Sequence, residues 1–229
     1  MAKKEEHKHE LLENPAALAE KLEGAENWME KHPKVIFGIT GAILFAVAGY
    51  FGFQYYVDTQ NAEAQKEMFQ AIYYFEADSL SQALNGDGNN LGFIDIIDEY
   101  KFTDAANLAN FYAGVSFLKQ GNFDAAILYL KDFSSNDLLV QPRAYSLIGD
   151  AYMEQAKYED AATYYTKAAN YKPNKYYSPT YLMKVALAYE KLNQNDKAIE
   201  AYGKIITDFW DSSEYQNALK LKARLETNS

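Results

Sequence analysis

The feature that most restricts what this chain can become is a register. Gly114, Gly149 and Ala186 are separated by 35 and then 37 residues, and the same two intervals recur for Phe117, Tyr152, Tyr189 and for Ala126, Ala161, Ala198. A small residue, an aromatic one turn later and then an alanine describe two helices in close approach, and a helical pair of that size cannot bury its apolar face alone. Stacking successive pairs buries it, so the register predicts an all-α fold whose main body is an α-solenoid. The middle copy, GDAYMEQAKYEDAATYYTKAANYKP, is the fullest, with Tyr158, Tyr165, Ala168 and a closing Pro173.

Over residues 107 to 210 this pattern resembles the tetratricopeptide repeat family, whose repeat of about 34 residues carries L-G-x2-Y, then A-x3-F, then P. Leu138 and Trp210 stand where the first and third units would close on proline. Asp211 to Glu226 is expected to add a capping helix, with Asp211 and Glu214 as its capping box and Ala218, Leu221 and Leu225 as its inner stripe. By the resemblance, the inward positions on the first helix of each unit are Leu108, Phe111, Val115 and Leu118, then Arg143, Asp150 and Met153, then Met183 and Leu187. This mostly apolar set, with two methionines, suits adaptable contact with protein partners. Two readings stand: an open groove, or one filled by the long helix expected over residues 58–84. The positions matching the carboxylate clamp of the chaperone-docking subclass hold Phe111, Val115, Ser146, Asp150, Met183 and Leu187, which disfavours an Hsp70 or Hsp90 receptor.

Val35 to Val57 are 23 uncharged residues, which as a helix extend roughly 35 Å, enough to span a bilayer. Trp28 precedes the run and Tyr50, Tyr55 and Tyr56 end it, as an aromatic belt would. A cleaved signal peptide is the rival reading, because Ala62-Glu63-Ala64 has small residues at a processing spacing; the long leading segment and the length of the run favour retention. Lys21, Lys31 and Lys34 flank the near side against Lys66 on the far side, so the N-terminus is expected in the cytoplasm and the repeats across the membrane. Gly38, Ala42, Ala46 and Gly49 share one face; they either dock a neighbouring membrane helix or reflect the small residues usual in such spans.

The expected organisation is a cytoplasmic tail with a short amphipathic helix (1–33), a transmembrane helix (34–57), a linking helix and degenerate first repeat (58–104), three repeats (105–210) and a capping helix (211–229). In the tail, Asn14 and Pro15 read as helix cap and first helical residue, followed by a stripe of Leu18, Leu22, Ala25 and Met29 that should stop near His32-Pro33. A polar face of Glu20, Glu23, Glu26 and Glu30 would be repelled by anionic lipid, so the stripe is either a protein contact or a spacer.

The chemistry left to the chain is narrow. A net charge of −10 gives a phosphate backbone little to bind, so nucleic acid is not an expected partner. There is no cysteine, and the only histidines are His7, His9 and His32, so the region beyond residue 33 lacks the commonest general base and the softest nucleophile. No catalytic residue, metal or cofactor is expected. The loop NGDGNNLG (85–92) places Asn85, Asp87 and Asn89 at alternate positions, but Ile96 stands where a calcium loop needs glutamate. It is read as a turn before the helix FIDIIDEY, with Asp95, Asp98 and Glu99 on a solvated face.

The acidic helix ending WMEKHPK, the Gly/Ala-rich span closing GYFGFQYY and the repeats beyond together resemble the YfgM-type ancillary subunits of the bacterial SecYEG translocon, most closely over residues 28–65. The resemblance implies a single-pass protein of the bacterial inner membrane with a periplasmic repeat module at the channel exit, near a membrane-anchored chaperone of the PpiD type, receiving unfolded or emerging polypeptides. The alternative is a scaffold for another envelope machine, in outer-membrane assembly or division.

Overall fold

The computed structural model describes residues 15–227, apart from the side chains of residues 15–18, 20 and 21. The tail with His7 and His9, the Asn14 cap and the Leu18 and Glu20 positions therefore lie outside the described side chains. The described residues form eleven helices and no strand: α1 (Pro15–Lys31), α2 (Pro33–Glu76), α3 (Leu80–Asn85), α4 (Phe93–Glu99), α5 (Asp104–Lys119), α6 (Phe123–Asp132), α7 (Val140–Glu154), α8 (Tyr158–Asn170), α9 (Ser178–Lys191), α10 (Asn195–Asp208) and α11 (Tyr215–Thr227). The chain divides into two compact units, one up to Tyr56 and one from Val57.

In the first unit, α1 ends at Lys31, the ring of His32 just beyond it stacks on Trp28 at 5.0 Å, and Pro33 opens α2 without needing an N–H partner. Helix α2 is long and apolar enough to cross a membrane, and the side chains from Phe37 to Tyr56 are exposed. The stripe Gly38, Ala42, Ala46 and Gly49 lies on this open helix, with nothing within 4 Å of a Cβ added at either glycine.

In the second unit α5–α6, α7–α8 and α9–α10 are successive helical pairs, and α11 packs on α10. The three columns are the contacts that bring each pair together. A Cβ on Gly114 would lie 2.5 Å from Leu130, and one on Gly149 would lie 2.5 Å from the Tyr165 ring. Ala126, Ala161 and Ala198 are wholly buried on the second helices. Each turn from first to second helix has the same construction. The amides of Asn122, Lys157 and Gln194 donate to the carbonyls of Phe117, Tyr152 and Tyr189, each at 2.9 Å. Gly121, Ala156 and Asn193 take the left-handed conformation that this helix ending requires.

Three local expectations differ from the structure. The helix beyond the apolar run stops at Glu76 rather than continuing to residue 84; Asp78, at φ 57°, turns the chain before α3. The capping helix starts at Tyr215, and Asp211 and Glu214 do not form its box. Asp211 accepts from Lys175 at 2.7 Å and Glu214 from the Thr180 hydroxyl at 2.7 Å, so partners on the preceding repeat take both carboxylates. Asp95 is half-buried and accepts the amide of Gly92 at 3.2 Å, which occupies it at the start of α4.

Candidate functional site: the cleft between α7 and α9

Residues four apart on a helix share a face, and the first helices of neighbouring units present such faces to each other. Helix α7 supplies Arg143, Ser146, Leu147 and Asp150. Helix α9, with the residue before it, supplies Tyr177, Thr180, Tyr181 and Lys184. Both sets follow the spacing i, i+3, i+4, i+7, and between them lies a cleft of about 380 Å³.

Its floor is a fixed polar network. The Lys184 ammonium donates to both Asp150 oxygens at 2.7 and 2.9 Å and to Ser146 Oγ at 3.0 Å. Tyr165, on α8 beneath, donates its hydroxyl to Asp150 Oδ1 at 2.6 Å. Burial, and then this bond to a carboxylate, push the Tyr165 phenol far above its ordinary value, so it stays a donor. Burial likewise raises the Tyr181 phenol, while the positive charge of Arg143 pulls it the other way. Arg143 is exposed at the rim and has no carboxylate partner among the described residues. Among the described residues the cleft therefore offers one cation without a carboxylate partner, two phenols and a leucine.

The expected inward residues divide into several groups. Arg143 and Asp150 meet in the cleft. Met153 and Met183 are half-buried against the cluster built on α8 to α11. Phe111 and Leu118 pack half-buried against Leu130, Phe133 and Ile148, with the Phe111 and Phe133 rings 5.2 Å apart. Leu108 packs at the margin of the cluster that contains Ala64, Met68 and Ala71 of α2, and it also lines a second hollow with Asn107, Phe133 and Val140. Val115 is half-buried and Leu187 is exposed. The sequence reading passed over Tyr177, Thr180, Tyr181 and Lys184. Their 177, 180, 181, 184 spacing was available, but the face of α9 that meets α7 sits one position around the helix from Met183 and Leu187.

The far part of α2 packs on α5 through Ala64, Met68 and Ala71 against Ala105, Ala109 and Ala113. No residue of α2 lines the cleft between α7 and α9. Among the described residues no group of three or more acidic or histidine side chains is placed to hold a metal. Asp87 of the glycine-rich loop is occupied within its own turn, accepting from the Asn89 and Asn90 amides at 2.8 and 2.7 Å and from the Tyr74 hydroxyl at 2.7 Å.

Comparison with protein families matches residues 111–178 and 146–213 to a model described as tetratricopeptide repeat. The helical pairs from Phe111 to Ser213 are therefore tetratricopeptide repeats, a fold that typically serves as a scaffold for protein contacts. Comparison with curated proteins finds no match.

Proposed function

We propose that this chain is a non-enzymatic scaffold, held in the bacterial inner membrane by α2, with its repeats in the periplasm at the exit of the SecYEG translocon. In this reading it works as the YfgM-type subunits it resembles, alongside a PpiD-type chaperone, and its inner face receives emerging polypeptides as a holdase would. The observation that carries the proposal is an uncovered cleft on tetratricopeptide repeats in a chain that also has one span-length apolar helix. Tethering raises the local concentration of that cleft near a membrane channel without any new contact. The open face of Gly38, Ala42, Ala46 and Gly49 is the natural place for a channel helix to approach.

Photo-crosslinking in growing cells tests this, with a benzophenone amino acid at Tyr181 or at Ala42. The expected products are unfolded envelope proteins at Tyr181 and translocon helices at Ala42. Products confined to outer-membrane assembly or division proteins would contradict the assignment.

A further inference from the structure

The repeat register places Phe117 with Tyr129 and, 35 residues later, Tyr152 with Tyr164, and the rings of the two pairs lie 5.2 and 5.6 Å apart. Lysines surround the second pair. The Lys157 ammonium is 6.0 Å from the centre of the Tyr152 ring, Lys131 is 5.6 Å from the rings of both Tyr152 and Tyr164, and Lys167 is 4.3 Å from Tyr164. Cation and ring therefore alternate from Lys157 to Lys167 across α6, α7 and α8.

Lys131, Lys157 and Lys167 are exposed, and the two tyrosines are half-buried. Lys131 donates to the Tyr152 hydroxyl at 3.1 Å, and that bond raises its ammonium above the ordinary lysine value, so it stays charged. Among the described residues none of the three ammonium groups pairs with a carboxylate. Of the neighbouring acids, Asp124 accepts from Gln155 at 2.8 Å, and Glu159 and Asp160 stand in the first turn of α8, where the helix dipole favours negative charge. Asp132 follows Lys131 and projects about 100° around the helix from it. Leu128, one turn before Lys131 on the same helix face, is 58% exposed. None of these lysines and tyrosines, nor Leu128, lines the cleft between α7 and α9.

We infer that this face is a docking surface for an acidic segment of a partner polypeptide, with Lys131, Lys157 and Lys167 meeting its carboxylates and Leu128 and the tyrosine rings meeting apolar side chains between them. Cations spread along two rings match carboxylates repeated along a chain, whereas a single phosphate group would need them to converge on one point with backbone amides. The attraction is local. The whole chain carries −10, so its average field turns acidic polypeptides away and a cationic patch is what admits one. The face lies apart from the cleft, so its partner is additional to whatever the cleft receives.

The test is fluorescence anisotropy of a fluorescein-labelled peptide, EEFEELEE, titrated with the full chain in non-ionic detergent. Binding that weakens with added salt is expected, with none for QQFQQLQQ. Lys131→Gln, Lys157→Gln and Lys167→Gln together should lower the affinity about ten-fold. Lys101→Gln, Lys191→Gln and Lys220→Gln together change the net charge equally at exposed positions and should lower it less than about two-fold. The corresponding arginine variant at 131, 157 and 167 should bind as the native chain does, which separates lost charge from lost packing on the rings. Equal losses in the two glutamine variants, an arginine variant as weak as its glutamine counterpart, or no binding to the native chain would overturn the proposal and leave the lysines as covers for the tyrosine rings. Displacement of the peptide by inorganic phosphate at constant ionic strength would make this a small-anion site and refute the polypeptide assignment.

Discussion

At the scale of the residue, the repeat register is a set of steric tolerances. Gly149 faces the Tyr165 ring, which cannot retreat because its hydroxyl is tied to Asp150. Gly149→Ala should therefore cost about 1 to 3 kcal/mol, as overpacking does. Gly203, mid-helix in α10 with nothing within 4 Å, is the control; its alanine variant should be neutral or up to about 1 kcal/mol more stable. Denaturant unfolding of the full chain in detergent compares the two, and equal effects would disprove the close-contact account. Ala156 holds a left-handed turn conformation that Gly121 holds without strain in the preceding unit. Ala156→Gly should stabilise the chain by about 1 kcal/mol in the same measurement.

At the scale of the element, two attachments decide how the segment after the apolar run joins the repeats. Asn61 accepts the amide of Ala105, a buried residue, so Asn61→Ala leaves that donor unmet and should cost about 1 to 3 kcal/mol. Protease cleavage between α2 and α5 should quicken with it. The second attachment is the turn at Asp87, where the Tyr74 hydroxyl first, then the Asn89 and Asn90 amides, hold the carboxyl well below its usual range. A folded-state value below the unfolded one favours the fold above about pH 4 and loses that contribution as the pH falls further. The stability gap between the native chain and Asp87→Asn should thus be widest above pH 5 and shrink toward pH 2, as thermal unfolding would show; a constant gap would contradict the assignment.

The elements that could be read from the sequence were those whose signal is local. The helical pairs follow from Gly114, Gly149 and the buried alanines because the contact that matters is made by the repeated residue itself. The helix long and apolar enough to cross a membrane follows from a missing charge. The break at Asp78 could not be read in the same way, since no glycine or proline marks it and a non-glycine residue carries the left-handed turn. Asp211 and Glu214 have capping-box spacing, yet Lys175 and Thr180 on the preceding unit claim them. The cleft was half visible. Arg143 and Asp150 lie at positions the repeat pattern points to, whereas Lys184 enters only because of how α9 is rotated against α7.

At the scale of the whole molecule, the account joins an apolar helix to a polar-floored cleft and assigns them to one task, holding a binding surface on the far side of a membrane. That division of labour depends on topology. The chain has no cysteine, so single cysteines report topology without background. Intact spheroplasts carrying Ser213→Cys or Glu26→Cys would be treated with a membrane-impermeant maleimide before and after lysis. The account predicts that Ser213→Cys is labelled from outside and Glu26→Cys only after lysis; the reverse pattern would contradict it.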